Sequence, residues 1–228
     1  MIERLKSLIG KLESRTLVLL VALAGASWLF LVVAGEVSEG GTAALDRRLL
    51  LALRTHGQPS DPLGPRWLEE AVRDITALGG FTVLTLLTIV ATLLLLFHQR
   101  RREALIFAAT VIAAQASSQV LKAFYERERP TLVAHGSYVY SHSFPSGHSA
   151  MAAAVFLILA TVTASVEPRR RTKALIYGLA VTGVFAVGLS RVYLGVHWPT
   201  DVLGGWALGA GWALVAWLLL ALTGPRQN

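Results

Sequence analysis

The sequence contains no cysteine and is poor in charged side chains. The absence of cysteine excludes disulfides, thiolate metal sites and a cysteine nucleophile, and it is compatible with an oxidising outer compartment. Charged residues make up 15% of the 228 residues and hydrophobic residues 54%, whereas a soluble domain carries about 25% charge. This composition indicates an integral membrane protein, and the length suits one domain, or one helical bundle, over residues 1–228.

Six apolar stretches have close to the roughly 20 residues that a membrane-crossing helix needs. We therefore predict an all-α integral membrane bundle of six transmembrane helices: Thr16–Ala34, Ile75–Phe97, Glu103–Leu121, Ser146–Ser165, Ala174–Leu189 and Asp201–Leu220. The first stretch follows basic residues, as the apolar core of a signal peptide would, but it is longer than the usual core of about 7–15 residues. We interpret it as an uncleaved first helix.

Two short interfacial helices are predicted between the first and second spans. Ala43–Arg54 places Leu45, Leu49 and Leu53 at helical spacing with arginines elsewhere, which is typical of an amphipathic helix at the membrane interface. Pro65–Asp74 begins with proline, which is favoured at a helix start. The segment "HGQPSDPLGP" between them indicates a turn. The two helices either cap the bundle or control access of a ligand.

The formal net charge of +7 is explained by basic clusters in the loops. His98–Glu103 holds three arginines and one glutamate, and Glu167–Lys173 holds three arginines, one lysine and one glutamate. With the basic N-terminus and Arg226 they lie on one side, and the positive-inside rule places that side, and hence both termini, in the cytoplasm. We predict a multi-pass protein of the cell membrane. The clusters form no basic groove interleaved with aromatic residues, so no nucleic-acid partner is expected.

Polar and ionisable residues at membrane depth are costly and tend to be functional. Three groups of them lie at the predicted outer ends of the spans. In the first group, Lys122 and Arg129 are seven residues, or about two helical turns, apart, just before Pro130. A helix that continues to Pro130 would place both cations on one face. The alternative is a pair of ordinary snorkelling side chains.

The second group is the segment "SFPSGHSAM", Ser143–Met151, at the start of the fourth span. Ser146 is a candidate N-cap, and a helix N-terminus with free backbone N–H groups binds phosphate. With Pro145 and Gly147 shaping the turn, His148 would lie in the first turn, beside the bound anion. The alternative is a structural histidine.

The third group is Ser190–Asp201, ahead of the sixth span. His197 and Asp201 are four residues apart, so the carboxylate can reach the imidazole within one helical turn. A carboxylate bonded to Nδ1–H leaves Nε2 as an oriented lone pair, which suits a nucleophile or a base. Arg191 adds a planar cation suited to a bidentate grip on phosphate oxygens.

Together the three groups indicate phosphoryl transfer. Cations would spread over the phosphate oxygens while one histidine attacks in line and the other protonates the leaving group, although the residues alone do not decide which histidine does which. No carboxylate cluster for Mg²⁺ and no histidine cluster for Zn²⁺ accompanies them. We therefore expect neither a metal nor another cofactor, with the cations in place of a metal.

These groups resemble the signature of the type 2 phosphatidic acid phosphatase superfamily, K-x6-R-P, P-S-G-H and S-R-x5-H-x3-D. The three parts are intact and in order as Lys122–Pro130, Pro145–His148 and Ser190–Asp201. The resemblance covers roughly Asp46–Leu220, because Asp74–Gly80 ("DITALGG") also looks like the start of the family's second span.

The resemblance implies a six-helix membrane phosphatase without a metal. His197 would attack phosphorus and form a phosphohistidine, Asp201 would orient His197, and His148 would protonate the leaving oxygen and then activate water. The phosphate would be held by Lys122, Arg129, Ser146, Gly147 and Arg191.

A site at the outer end of a bundle favours a substrate whose head group lies at the outer leaflet, such as phosphatidylglycerophosphate, undecaprenyl pyrophosphate, diacylglycerol pyrophosphate or phosphatidic acid. The expected partners are this lipid and the bilayer, with no obligatory protein partner. Three alternatives remain open: a lipid phosphotransferase with the same phosphohistidine chemistry, a lipid transporter or scaffold with an inactive site, and a vanadate-dependent haloperoxidase. The six apolar spans disfavour the last, because those enzymes are soluble.

Overall fold

The computed structural model describes residues 2–133, 135 and 141–223, and of residues 2–13 and 15 it describes the backbone alone. Arg226, used above for the orientation, lies outside the described residues. The elements follow in the order α1 (Ile2–Glu39), α2 (Ala43–Leu51), β1 (Arg54–Thr55), β2 (Gln58–Pro62), α3 (Arg66–Ala77), α4 (Phe81–Phe97), α5 (Arg101–Tyr125), α6 (Gly147–Val166), α7 (Arg170–Tyr193) and α8 (Pro199–Thr223).

Within the described residues, five helices are long and apolar enough to cross a membrane: α1 from Thr16, α5, α6, α7 and α8. A sixth span results if α3 and α4 are taken together, because the pair passes the same test as one bent unit. Many large apolar side chains on these helices are exposed on the outside of the bundle, where a bilayer would cover them. The predicted all-α membrane bundle is therefore confirmed.

The second span is not the single helix that Ile75–Phe97 predicts. It breaks between α3 and α4, which meet at an angle of 44°. Gly79 lies at this break, and a Cβ added there would stand 2.3 Å from Val187 Cγ1 and 3.3 Å from the His148 carbonyl oxygen. Gly80, in an extended conformation, then precedes α4. Two consecutive glycines disfavour a continuous helix. Because Gly79 has no side chain, the backbone at the break also packs closely against α6 and α7.

The segment between α1 and α3 contains more structure than the predicted turn. β1 and β2 form an antiparallel hairpin. In α2, Leu45 and Leu49 are exposed, whereas Asp46 and Leu50 are buried against the protein. Helix α2 therefore has two different faces. Its exposed leucines lie on the surface of the protein, as in an interfacial helix, and the opposite face packs against the protein and buries the carboxylate of Asp46.

Helix α6 occupies the middle of the bundle and contacts α5, α7 and α8. The approach of α8 is close, because a Cβ added at Gly205 would lie 2.6 Å from the Ser146 carbonyl oxygen, and one added at Gly209 would lie 2.1 Å from the Ala150 carbonyl oxygen. The main apolar core lies below this contact and comprises Leu84, Leu95, Ala104, Phe107, Val111, Val155, Ile158, Val162, Ala213 and Ala216. The α6–α8 contact brings the starts of these two helices, and hence two of the predicted motifs, together.

Candidate active site

The end of α5 places Lys122 inside the protein. Its side chain is buried, and Nζ donates to the His142 carbonyl oxygen at 2.6 Å and to the Ser143 carbonyl oxygen at 3.5 Å. Helix α5 ends at Tyr125, and Glu126 adopts a left-handed conformation with φ of 44°. The prediction that a helix continues to Pro130 and carries Arg129 on the same face is therefore wrong.

Arg129 nevertheless reaches the same place from the non-helical segment after α5. Its Nε donates to the Ser141 carbonyl oxygen at 2.7 Å, and one Nη1 contact goes to the Val196 carbonyl oxygen at 2.6 Å. A second Nη1 contact, of 3.2 Å, reaches His197 Nε2. The turn after α5 thus lets the chain bring the guanidinium to the imidazole, which a straight helix would not do.

The start of α6 follows the prediction. Ser146 is the N-cap, and its Oγ accepts from the Ser149 N–H at 3.4 Å. Gly147 is the first helical residue, and a Cβ added there would lie 3.7 Å from Lys122 Cε. His148 lies in the first turn, close enough to Lys122, Arg129 and Arg191 to interact with them electrostatically.

A tight turn between α7 and α8 presents His197. Gly195 has φ of +71°, a conformation that favours glycine, and it lets the chain reverse before Pro199 opens α8. Asp201 Oδ2 then lies 3.3 Å from His197 Nδ1 and accepts the Trp198 N–H at 2.8 Å. The four-residue spacing therefore places the carboxylate beside the imidazole, although the two lie in different elements.

The contacts of His197 define its protonation. Nδ1 lies 3.3 Å from Ser143 Oγ as well as from the carboxylate, and Ser143 in turn donates its hydroxyl to Asp201. Nε2 faces an Arg129 N–H, so Nε2 is the acceptor and Nδ1 carries the proton. Burial lowers the pKa of His197 to about 3, although the hydrogen bond and charge of Asp201 act in the opposite direction. The ring is therefore neutral near pH 7, with its Nε2 lone pair directed at a cation.

Among the residues that the structure describes, two buried polar atoms at the site have no hydrogen-bond partner. Arg191 donates from Nη1 to Thr76 Oγ1 at 2.9 Å, but its buried Nε has no acceptor. Ser118, one turn before Lys122, is buried with its Oγ unpaired, and a Cβ added at Gly147 would lie 3.8 Å from that oxygen. Buried polar groups are rarely left unpaired, and unpaired ones at a site suggest a missing ligand.

The charges at the site are unbalanced. Lys122, Arg129 and Arg191 interact electrostatically with one another, yet none of them forms a salt bridge with a carboxylate in the part of the chain that the structure describes. The buried carboxylates Asp201 and Asp46 instead form salt bridges with a different cation, Arg127, which contacts Asp201 Oδ1 at 2.6 Å and Asp46 Oδ2 at 2.7 Å. Within the described part of the chain, the three cations therefore form no ion pair with a carboxylate, and an unpaired buried charge such as that of Lys122 or Arg191 is costly.

Sequence reasoning missed Arg127, Asp46, Ser143 and Ser118. A charged residue on the inward face of an amphipathic helix could have singled out Asp46, and the position of Arg127 between Lys122 and Arg129 offered a weaker signal. Ser143 and Ser118 carried no signal in the sequence. His135 and His142, in the segment between the first two motifs, have exposed side chains, and the backbone carbonyl of His142 accepts a hydrogen bond from Lys122.

The arrangement suits phosphate chemistry rather than metal binding. No group of three or more His, Asp or Glu side chains among the described residues is placed to hold a metal ion. The site combines a neutral imidazole held by a carboxylate, a second imidazole, a helix N-terminus and three cations that form no salt bridge with a described carboxylate.

Comparison with known proteins supports this reading. The family model of the PAP2 superfamily matches residues 103–224. Phosphatidylglycerophosphatase B of Bacillus subtilis is 33% identical over 183 residues, which are 79% of this chain and 85% of the relative. An undecaprenyl-diphosphatase of Sulfolobus acidocaldarius is 33% identical over 87 residues, 38% of this chain and 37% of the relative.

A solved structure has the same fold. The crystal structure of a transmembrane PAP2-type phosphatidylglycerolphosphate phosphatase from Bacillus subtilis superposes with a TM-score of 0.80 at 29% identity, covering 90% of this chain and 98% of that chain. The matched family region contains all three motifs that meet at the site. Motifs, geometry, sequence and fold thus agree, and the chain belongs to the PAP2 superfamily of lipid phosphatases.

Proposed function

We propose that this protein hydrolyses a phosphomonoester or pyrophosphate on a membrane lipid without a metal ion, through a phosphohistidine on His197. The observation that carries the proposal is a set of three cations, the buried Lys122 and Arg191 and the partly buried Arg129 that contacts the neutral imidazole, which form no salt bridge with a carboxylate among the described residues. A phosphate group supplies the missing negative charge. It also supplies acceptors for the unpaired Arg191 Nε and Ser118 Oγ.

The proposed reaction has two steps. In the first, His197 Nε2 forms a bond to phosphorus, the bond between phosphorus and the lipid oxygen breaks, and His148 gives a proton to that oxygen. In the second, His148 takes a proton from water, the water oxygen bonds to phosphorus, and the P–N bond breaks to release inorganic phosphate. Asp201 stabilises the positive charge that develops on the imidazole during attack, because it lies 3.3 Å from Nδ1.

Binding of the phosphate must first free the nucleophile. In the structure, Arg129 contacts His197 Nε2 at 3.2 Å, and backbone carbonyls of residues 141–143 occupy both Arg129 and Lys122. Phosphate oxygens are stronger acceptors than carbonyls or an imidazole. A bound phosphate would therefore replace the carbonyls and the His197 imidazole as the acceptor for Lys122 and Arg129. The Ser146 hydroxyl and the Gly147 N–H at the start of α6 would donate further hydrogen bonds to the phosphate.

The names of the relatives narrow the substrate class. They refer to phosphatidylglycerophosphate and undecaprenyl diphosphate, both of which carry a phosphate on a membrane lipid. The positive-inside pattern supports a site on the outer membrane face with both termini in the cytoplasm, because the basic loops lie at the opposite ends of the helices.

The test of the function is phosphate release by the detergent-purified protein from a panel of lipid phosphates and pyrophosphates, in EDTA. We expect release that His197→Ala abolishes and that His56→Ala, a change at an exposed residue of the hairpin turn, leaves intact. Activity that is lost in EDTA and restored by Mg²⁺ would overturn the metal-free reaction. Adding diacylglycerol as an acceptor tests the phosphotransferase alternative, because a transferase would then form a new phospholipid.

The intermediate has a separate test. With p-nitrophenyl phosphate, the leaving group needs no proton, so His148→Ala should still form the phosphohistidine but hydrolyse it slowly. Mass spectrometry after an alkaline quench should find phosphate on His197 in this variant. Phosphate on a different residue, or its absence from a variant that still releases p-nitrophenol, would exclude this intermediate.

A further inference from the structure

Two pockets differ in their lining: one includes residues of the candidate site, and the other lies farther along α6 and α7. On the α5 side, a polar pocket of about 590 Å³ is lined by Lys122, Glu126, Arg127, Arg129 and His142, among others. On the other side, an open groove of about 410 Å³ runs between α6 and α7, lined mainly by Leu78, Phe156, Leu159, Ile176, Leu179 and Gly183. The polar pocket suits water and inorganic phosphate, whereas the groove offers almost only apolar surface.

One end of the apolar groove lies near the site at His148. Leu78 lines its outer end, and Gly79, the next residue, lies at the break between α3 and α4. The backbone there approaches α6 so closely that a Cβ added at Gly79 would stand 3.4 Å from His148 Cβ. A hydrocarbon chain that leaves the site past His148 and the Gly79 backbone would next meet Leu78 and this groove.

The chemistry of the proposed function requires the lipid to leave on that side. In an in-line displacement, the nucleophile and the leaving oxygen lie on opposite sides of phosphorus. His197 is the nucleophile, so the lipid oxygen lies away from His197 and next to the group that protonates it, His148. The hydrocarbon attached to that oxygen must continue from there.

We propose that the groove between α6 and α7 binds a hydrocarbon chain of the lipid substrate and so selects for lipid phosphates over water-soluble ones. Thr163, at the inner end of the groove, lies 15 residues beyond His148 on α6, which is about 22 Å along the helix at ~1.5 Å per residue. This is a large part of the roughly 30 Å hydrocarbon core of a bilayer, so a long chain fits and a short one leaves the groove empty. The proposal rests on the proposed function.

Two glycines of α7 make a matched pair for a test. Gly183 lines the groove, and a Cβ added there would lie 3.1 Å from two ring atoms of Phe156, so a leucine would fill the groove. Gly178, on the same helix, has no atom within 4 Å of its added Cβ and is exposed. Gly183→Leu and Gly178→Leu therefore make the same change to helix propensity and apolar surface, and differ in whether they obstruct the groove.

The first experiment compares kcat/KM for dioleoyl and dihexanoyl phosphatidic acid. Gly183→Leu should lower the value for the dioleoyl lipid by about tenfold or more, the order of effect that loss of a few methylene contacts produces. It should leave the value for the dihexanoyl lipid within about twofold of the wild type, which also shows that the variant folds. Gly178→Leu should change neither. Equal losses for both lipids, or no loss for either, would overturn the groove assignment while leaving the phosphatase function intact.

The second experiment does not need turnover. His197→Ala is reconstituted in vesicles with a phosphatidic acid that carries a diazirine at the end of one acyl chain, and is then irradiated. The label should fall on α6 and α7 between residues 156 and 183, and excess phosphatidic acid, but not phosphatidylcholine, should compete with it. Labelling that phosphatidylcholine removes equally well would show an unspecific lipid surface and overturn the proposal. Release of phosphate from no lipid by the wild type would instead refute the proposed function, and the two failures are therefore distinguishable.

Discussion

Partly buried Arg127 forms an ion pair with buried Asp201, in which Nη1 lies 2.6 Å from Oδ1. The same guanidinium contacts Asp46 Oδ2 at 2.7 Å, and Asp46 also accepts the Thr200 N–H at 3.0 Å. One arginine therefore joins the carboxylate that orients His197 to a carboxylate of the interfacial helix α2. Because Asp46 and Asp201 are both buried, each depends on Arg127 for its charge balance.

This link predicts a large and coupled loss of stability. Arg127→Met leaves two buried carboxylates without a cation and should cost about 3–5 kcal/mol, the usual price of removing one partner from a buried pair. Asp46→Asn should be milder, and the double variant should lose less than the sum of the two single losses. Thermal unfolding in detergent, followed by tryptophan fluorescence, measures each change. Arg47→Met, at an exposed position of α2, is the control. Strictly additive losses would show that the two residues are not coupled.

We expect the His197 ring to stay neutral over a pH range in which an ordinary histidine becomes protonated. Burial lowers the pKa of His197 to about 3, so its ring should remain neutral from about pH 8 down to about pH 5. The measurement is nitrogen-15 NMR of the protein in micelles, with its histidines labelled. The ring signals of His197 are those that disappear in His197→Ala. Over this pH range they should have the shifts of a neutral ring protonated at Nδ1. A titration with a midpoint near the ordinary value of about 6.5 would contradict the assignment.

The same shift has a consequence for stability against pH. The unfolded chain binds a proton at His197 below about pH 6.5, whereas the folded protein does not until about pH 3. Stability therefore falls as the pH falls through this window. His197→Asn has no titrating group there, so its thermal midpoint should decrease less than that of the wild type between about pH 7 and about pH 5. Parallel curves for the two proteins would refute the prediction.

The close contact of α6 and α8 predicts that Gly205 does not tolerate a side chain. A Cβ at Gly205 would lie 2.6 Å from the Ser146 carbonyl oxygen and 2.8 Å from Ser149 Cβ, so Gly205→Ala must separate the two helices. Overpacking of this kind costs about 1–3 kcal/mol, and it also moves Asp201 away from the α6 start. Gly211→Ala, on the same helix with no atom within 4 Å of its Cβ, should keep wild-type stability and phosphate release. Equal behaviour of the two variants would contradict this account.

The proposed topology predicts the accessibility of introduced thiols. The natural chain has no cysteine, so single-cysteine variants have no background labelling. A membrane-impermeant maleimide should label Ser60→Cys, on the exposed strand β2, in intact cells. It should label Arg169→Cys, in the exposed basic connection between α6 and α7, only after the cells are permeabilised. The reverse pattern would place the site on the cytoplasmic face.

The sequence alone determined the architecture and the chemical groups of the site. The lengths of the apolar stretches decide that the chain forms membrane helices, because a helix must satisfy its own backbone in lipid. Three short motifs supply the cations, the histidines and Asp201. The spacing of His197 and Asp201 predicts their contact, since four residues bring side chains together whenever the chain turns locally.

Only the tertiary structure decided which charged groups pair with one another. Arg127 meets Asp201 across 74 positions of the sequence, and Asp46 meets Thr200 across 154, so no local pattern links them. The glycines allow the break at Gly79, but its packing depends on the distant Val187 and His148. The position of Arg129 after α5 likewise depends on its contact with His197. Local periodicity determines which residues can face one another within an element. The pairing of a buried charge depends on which distant element packs against it, and only the packed fold decides that.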